Sequence, residues 1–330
     1  MILYRRAIHR LEHRLAARDR SRVIRPFEWG LEWLGGEPLD RHVKTALADS
    51  DRYFAYDRTA DYRLEGEMLS FPSPLETPYP ENNTVWARYL PAPGSRRAVV
   101  LLPQWNADAA GHLGLARLLN WFGITALRMS LPYHDRRMPA GLQRAEYNVS
   151  SNVGRTIHAC RQAVVDARAC LDWLEDRGYE NLGLLGSSLG SCISLLLAAH
   201  DRRVRAAVFN HISMWFADVV WTGLSTQHVR AGLEKGLTLR ELRRCWSVIS
   251  PASYLDRLEG RDLRSLLVWA THDLSFLPKY SRRVLAHYRR RQLPHRTLSI
   301  PCGHYTLARA PFKYIDGVSV AWFLHRNLRP

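Results

Sequence analysis

The sequence has 330 residues, and its 46% hydrophobic content with 11 Trp and 14 Tyr supports a large packed core and excludes a mostly disordered chain. Its formal net charge of +16 points to nucleic acid or an anionic membrane as a partner. However, only four of the 47 basic residues are Lys, the Arg residues are spread along the chain, and no nucleic-acid-binding module is present. A charged, solvated surface is therefore favoured, and no nucleic-acid partner is expected.

The five cysteines are scattered and have no C-x-x-C spacing, which argues against a disulfide framework and a zinc site. The pattern fits a reducing compartment. The N-terminus has no apolar run of secretory length, so a cytoplasmic protein is expected. No metal and no cofactor are expected, and the sequence leaves the oligomeric state open.

Residues 1–20 have the pattern of an Arg-rich amphipathic helix with a narrow apolar stripe. Packing of this stripe on the parent domain is favoured, and peripheral contact with an anionic membrane is the alternative. Glu12 and Asp19 argue against an organelle transit peptide. Residues 21–80 end in a Pro-rich run and are interpreted as a linker or wrapping segment, so that residues 1–81 form a predicted N-terminal helical extension.

Strand and helix patterns alternate from about residue 82 and predict an α/β domain over residues 82–330, with a mainly parallel central sheet covered by helices on both faces. Predicted strands are 85–90, 98–102, 125–130, 182–185, 204–210, 263–270 and 296–300; predicted helices are 112–122, 157–177, 191–199, 281–291 and 312–327. Two long segments interrupt this alternation. Residues 131–156 form a polar connection, and residues 211–262, with several Trp on helical patterns, predict a cap over the carboxyl edge of the sheet.

Residues 182–199 contain a G-x-S-x-G motif, formed by Gly186, Ser188 and Gly190, between an apolar strand and an apolar helix. This is the context of a nucleophile elbow, in which a sharp turn exposes a serine at a helix N-terminus. The stretch also has the minimum length of a membrane span, but the Gly and Ser residues at its centre favour a strand–turn–helix. Ser188 is therefore the predicted nucleophile.

A serine nucleophile needs a base, and the base needs a carboxylate that orients it. Asp273 follows the predicted strand 263–270, and His304 follows the strand 296–300. The carboxyl ends of parallel strands meet at one edge of a sheet, so both side chains are expected near Ser188. Asp218 is the alternative acid, although the position of Asp273 at a strand end favours Asp273.

Residues 82–330 resemble the α/β-hydrolase superfamily. The resemblance rests on the G-x-S-x-G motif, on Trp269-Ala-Thr-His-Asp273, on Gly303-His304 before the last helix, and on the chain order nucleophile, acid, base. It implies an α/β-hydrolase fold in which Ser188 is the nucleophile, His304 the general base and then acid, and Asp273 the orienting carboxylate. It also implies that Leu189 lends its backbone N–H to the oxyanion hole.

The second oxyanion donor departs from the superfamily, which usually has His-Gly after its third strand. By alignment, Gln104 replaces the glycine and Trp105 supplies the second backbone N–H, and a non-glycine residue there narrows or reshapes the hole. A weaker resemblance, carried by residues 131–137, Asn152 and Trp173-Leu-Glu175, is to the abhydrolase-domain-eighteen-like branch. The pocket residues predicted from these segments and from the cap are Gln104, Tyr133, His134, Arg136, Trp215 and Trp221.

These features predict a serine esterase that cleaves a carboxylic ester through an acyl-serine intermediate. The Trp-rich cap predicts a hydrophobic acyl or aromatic ester as the small-molecule substrate. Acyl transfer with the same triad is one alternative, because a cap that excludes water favours another acceptor. A non-catalytic binding protein on the same fold is the other, but a complete triad argues against it.

Overall fold

A computed structural model describes residues 2–329, and these form a nine-stranded sheet flanked by helices. The strands are β1 (Arg63–Glu65), β2 (Met68–Pro72), β3 (Thr84–Leu90), β4 (Arg97–Leu102), β5 (Thr125–Met129), β6 (Asn181–Ser187), β7 (Val204–Asn210), β8 (Arg264–Ala270) and β9 (His295–Ile300). Their order across the sheet is β1-β2-β3-β5-β4-β6-β7-β8-β9. The first four strands in this order pair antiparallel, and β5 and all later strands pair parallel. The predicted mainly parallel sheet is confirmed.

The helices are α1 (Ile2–Ala16), α2 (Leu39–Ala48), α3 (Ser50–Tyr53), α4 (Leu113–Trp121), α5 (Val153–Asp176), α6 (Leu189–His200), α7 (Phe216–Thr222), α8 (Gln227–Leu233), α9 (Leu239–Cys245), α10 (Pro278–Arg290) and α11 (Phe312–Asn327). Alternate residues of the buried strand β4 enter opposite cores: Val100 packs with α5 and α6, whereas Val99 packs with α4 and α11. Both faces are therefore apolar, which explains why the central strands are continuous hydrophobic runs.

Strands β1 and β2 lie in the segment that the sequence suggested was a linker or wrapping segment. They extend the sheet beyond β3 by antiparallel pairing, with Leu69 and Phe71 buried on one side. The sequence pattern missed them because the strands are short and the following Pro-rich run resembles a linker. The extension thus contributes two strands to the same sheet.

The segment between β7 and β8 is helical, as predicted, and holds α7, α8 and α9. Elsewhere, residues 182–199 divide into β6 and α6, in agreement with the strand–turn–helix interpretation. Among residues 2–329, none of the helices combines the length and the apolar character that crossing a membrane requires.

Candidate active site

Ser188 lies at a sharp turn between β6 and α6. Its backbone has φ 55° and ψ −114°, a strained conformation for a residue with a side chain. The turn is held by the Ser188 N–H, which donates to the Asn210 carbonyl at 2.8 Å. A Cβ at Gly190 would collide with the carbonyl oxygen of Leu102, so the close approach of α6 to β4 requires glycine there. The strain thus holds a serine at the N-terminus of α6, where backbone N–H groups are free of helical partners.

Asp273 and His304 lie next to each other at the carboxyl ends of β8 and β9. His304 Nδ1 is 3.1 Å from Asp273 Oδ2, and the other carboxylate oxygen accepts from the backbone N–H groups of Ser275 and Phe276, both at 2.7 Å. Asp273 is buried, and its position is therefore fixed on both sides. The ring of Phe276 stacks on His304 with a 5.5 Å centroid separation, which sets the plane of the imidazole.

The charges of this pair shift both pKa values. Burial alone would raise the pKa of Asp273, but the charge of His304, its hydrogen bond and the close contact with His211 hold that pKa below the usual range. Burial lowers the pKa of His304, but the negative charge of Asp273 and its hydrogen bond outweigh burial and raise that pKa above its ordinary value. Asp273 is thus ionised in the pH range in which His304 takes up a proton.

His211 is a third member of this cluster that the sequence did not single out. Its Nδ1 lies 2.8 Å from the same Asp273 Oδ2 atom that faces His304, and burial and the charge of His304 lower its pKa. The signal was present, because His211 directly follows β7 at the edge where the other site residues lie. The ligand atoms of His211, Asp273 and His304 lie within 4.8 Å of one another, so the cluster has the atoms for a metal ion as well as for a triad.

Asp218, the alternative acid, lies elsewhere in the network. It is buried on α7 and accepts from Arg243 Nε at 2.6 Å, with Arg283 Nη1 3.9 Å away. The geometry therefore pairs His304 with Asp273, and Asp218 with an arginine of the cap.

The loop after β4 places Trp105 and Gln104 on the cavity that contains Ser188. Asn106 anchors this loop: its backbone N–H donates to His134 Nε2 at 2.9 Å, and its side-chain Oδ1 accepts from Ala145 N at 2.8 Å. The Trp105 ring donates from Nε1 to the Ala145 carbonyl at 2.8 Å. Three hydrogen bonds thus tie the loop to residues 134 and 145.

His134 has a different place from the pocket mouth predicted for it. It is buried, its Nδ1 lies 2.8 Å from the Pro132 carbonyl, and burial lowers its pKa to about 4. The neutral ring thus donates from Nδ1 and accepts at Nε2 from Asn106, which makes His134 a support of the Trp105 loop. The sequence predicted His134 as a pocket residue, whereas the polar connection packs inward on its own hydrogen bonds.

A cavity of about 900 Å³ contains the site, and it is lined by Ser188, Leu189, His211 and His304 together with Gln104 and Trp105. The other predicted pocket residues lie outside its lining. Tyr133 is buried among Tyr79 and Tyr147, and the exposed Arg136 lies over the ring of Trp86. Trp215 only precedes α7, and Trp221 packs against the core beneath Arg230.

The cap reaches the cavity through smaller side chains than the predicted Trp residues. Besides His211, its lining residues are Ser213, Phe216, Val219, Val220, Ser225, Thr226 and Pro251. Helical periodicity explains the difference, because residues 216, 219 and 220 share one face of α7 and Trp221 points away from it. This part of the cavity wall is predominantly apolar.

Glu12 is a further functional candidate that sequence reasoning missed. It lies on α1, is fully buried, and its carboxylate accepts from the backbone N–H groups of Tyr305 (3.0 Å) and Thr306 (2.8 Å). A Cβ on Gly303 would collide with this carboxylate, so glycine beside His304 allows the close approach. The signal was an acid four residues after Ile8, on the buried stripe of an otherwise basic helix.

Residues 19–28, here called the strap, run from α1 across the cavity mouth. Asp19 and Arg22 line the cavity, and Arg22 donates to the Tyr305 hydroxyl at 3.0 Å. Asp19 contacts Arg144 of the long connection, and Glu28 forms a β-bridge with Asn152. The strap therefore contacts the loop after β9 that carries His304, the cap at residue 224, and the connection after β5.

No protein-family model matches the sequence, and no curated protein matches it. The fold is similar to solved structures. A puromycin-hydrolyzing peptidase of Mycobacterium tuberculosis has a TM-score of 0.59 at 17% identity, over 76% of this chain and 38% of that chain. The Pyrococcus horikoshii acylaminoacyl peptidase has a TM-score of 0.59 at 11% identity, over 74% of this chain and 40% of that chain. The acetyl xylan esterase from Paenibacillus sp. R4 has a TM-score of 0.58 at 14% identity, over 86% of this chain and 93% of that chain.

The chain spans about two fifths of the length of these two peptidases and most of the length of the esterase. The similarity shows that this chain has the α/β-hydrolase fold, which confirms the resemblance seen in its motifs.

Proposed function

We propose that this protein is a serine hydrolase that cleaves a carboxylic ester with a hydrophobic acyl or aromatic group. The observation that carries the proposal is the convergence, on one cavity, of a serine strained at a helix N-terminus and a buried His304–Asp273 pair. A strained nucleophile, a base and an orienting carboxylate are the groups that acyl transfer requires. The apolar cap wall supports a hydrophobic substrate.

In the proposed reaction, the Ser188 hydroxyl attacks the acyl carbon and its proton passes to His304 Nε2. Asp273 keeps the proton of Nδ1 in place and stabilises the imidazolium that forms. The backbone N–H groups of Leu189 and Trp105 bind the oxyanion, and each such donor is worth about 2.7–4 kcal/mol in the transition state. His304 then protonates the leaving group, and water deprotonated by His304 cleaves the acyl-Ser188 ester.

Covalent labelling with a fluorophosphonate tests the nucleophile. The native protein should be labelled and Ser188→Ala should not. Ser194→Ala is a matched control on the same helix, because the buried Ser194 hydroxyl has no hydrogen-bond partner among residues 2–329, and it should label normally. Absence of labelling and of ester hydrolysis in the folded native protein would support the non-catalytic binding protein instead.

Substrate panels test the chemistry. With p-nitrophenyl esters, kcat/KM should rise with acyl length until the acyl chain fills the cavity, because each buried methylene contributes about 0.8 kcal/mol. Acylaminoacyl anilides of matched size measure peptidase activity, and added alcohols measure acyl transfer by product analysis. A chelator should leave ester hydrolysis unchanged, and loss of activity would assign the His211, Asp273 and His304 cluster to a metal.

A further inference from the structure

One part of the cavity is not used by the proposed triad. It lies between α4 and α11 and is here called the helix lobe; its lining includes Asn210, His112, Leu115, Leu118, Lys313 and Asp316. The lobe is joined to the nucleophile through Asn210, whose backbone carbonyl accepts from the Ser188 N–H. A substrate held at Ser188 therefore has this lobe within its reach.

Asp316 is a buried carboxyl in this lobe without a cation. It is 9% exposed, and Asn210 Nδ2 donates to its Oδ2 at 2.8 Å. Its Oδ1 has no hydrogen-bond partner among residues 2–329, and the side-chain Oδ1 of Asn210 has none either. The hydrogen-bonded Asn210 and Asp316 side chains thus each have a buried acceptor without a donor, which is costly unless a ligand supplies one.

The other charged groups around the lobe do not neutralise Asp316. Within residues 2–329, no Lys, Arg or His makes an ion pair with its carboxyl, and the Lys313 ammonium lies 4.8 Å from the centre of the Tyr314 ring. His112 lies 2.9 Å from the Ser187 hydroxyl through Nε2, and burial lowers its pKa to about 4, so it is neutral near pH 7. Burial raises the pKa of Asp316 to about 6, which still leaves a carboxylate above that pH.

We propose that Asp316 and Asn210 form a subsite for a protonated amine, so that the substrate carries an ammonium group on one side of the scissile bond and an apolar group on the other. An ammonium has three donors and one positive charge, and the two unpartnered oxygens and the single negative charge match it. The apolar cap wall accepts the other side. This inference rests on the proposed hydrolase function for its kinetic consequences, but the binding itself does not depend on catalysis.

The kinetic test compares esters that differ only by an amine. Suitable pairs are 3-aminopropyl and butyl octanoate, with the amine on the alcohol side, and p-nitrophenyl 4-aminobutyrate and pentanoate, with the amine on the acyl side. In at least one pair, the native protein should prefer the amine about ten- to hundredfold in kcat/KM, the range of a hydrogen bond to a charged group. The ratio of kcat/KM for the amine ester to that for its uncharged partner should fall toward one in Asp316→Asn. The ratio should persist in Asp262→Asn, which removes an exposed carboxylate.

The binding test is independent of hydrolysis. Calorimetry with Ser188→Ala should show heptylamine binding about tenfold or more tightly than heptanol, and the difference should vanish when Asp316→Asn is added. Equal binding of the two ligands overturns the subsite, whatever the protein hydrolyses. Amine-selective binding in a native protein that hydrolyses no ester supports the subsite and counts against the proposed function.

Discussion

At the scale of single residues, the site is organised around Asp273, whose one oxygen faces two histidines while the other is held by two backbone N–H groups. Asp273 favours the protonated form of both histidines, but at His211 burial and the charge of His304 outweigh it, so the pKa of His211 is lowered whereas that of His304 is raised. The two rings therefore differ in the proposed reaction: His304 takes up the proton, and neutral His211 lies against Asp273 and restricts its position.

This difference predicts the pH profile. The neutral form of His304 is the base, so kcat/KM should rise with pH through a midpoint above the ordinary histidine value of about 6.5. In Asp273→Asn, the negative charge that raises the pKa of His304 is gone and burial lowers that pKa. The midpoint of the residual activity should therefore move below about 6.5. The rate should also fall by about 10⁴-fold, because the His304 tautomer is lost.

Asp218→Asn is the control for this experiment. It weakens the pair between the buried Asp218 and the partly exposed Arg243 and should cost stability, but it should leave the pH midpoint in place. A midpoint that moves with Asp218 and not with Asp273 would contradict the assignment of the acid.

The candidate site residues were predictable because each lies in a short local pattern at the end of a strand. Ser188, Asp273 and His304 each follow a recognisable apolar run, and the topology of a parallel sheet then brings them together. Glu12 was not predictable as a partner of residues 305–306, because its contact spans 293 positions. His134 was misplaced because the packing of a long connection depends on hydrogen bonds that no local pattern encodes.

At the scale of elements, α1 supports the loop that carries His304. It buries Ile8, Glu12 and Ala16, and Glu12 reaches the two N–H groups that follow His304. The loop after β9 therefore owes its position to a helix from the opposite end of the chain. Glu12 is a positioning residue, since its carboxylate acts on His304 through the backbone.

Glu12→Gln should separate turnover from binding. The amide offers one oxygen and sets an NH₂ donor against a backbone N–H, so the loop should loosen at a cost of about 1.5–3 kcal/mol in stability. Misplacement of His304 should lower kcat about tenfold or more, while KM for a short ester changes little. Steady-state kinetics on folded protein measure both values.

Arg14→Gln, an exposed change on the same helix, should leave both constants unchanged. If Glu12→Gln loses stability but keeps its native kcat, the carboxylate stabilises α1 without positioning the base.

At the scale of the whole molecule, the buried carboxyl of Asp316 makes stability depend on pH. Its pKa is raised to about 6 in the folded protein and is about 3.9 in an unfolded chain. The folded state therefore binds this proton more tightly. The buried carboxylate therefore lowers the stability of the folded protein as pH rises. This loss is absent below about pH 4, where both states are protonated, and is complete above about pH 6, where the folded protein holds a buried carboxylate.

Asp316→Asn should thus be more stable than the native protein near pH 7, by as much as about 3 kcal/mol, and the two should converge near pH 4. Urea denaturation at both pH values measures this difference. A native protein that is more stable than the variant at pH 7 would mean that the carboxylate already has a cationic partner.

The strap and α1 also set the order in which the site is completed during synthesis. Glu12 leaves the ribosome 293 residues before Tyr305, which at ordinary elongation rates is about 15–60 s earlier. Until β9 and the loop after it have left the ribosome, Glu12 on α1 has no backbone N–H groups from which to accept hydrogen bonds. The part of the cavity wall that this loop forms is also missing until then. A nascent chain that stops before residue 303 lacks His304, so it has no base for Ser188. The proposed site is completed only when α1 meets this later loop, whose backbone N–H groups bind the Glu12 carboxylate.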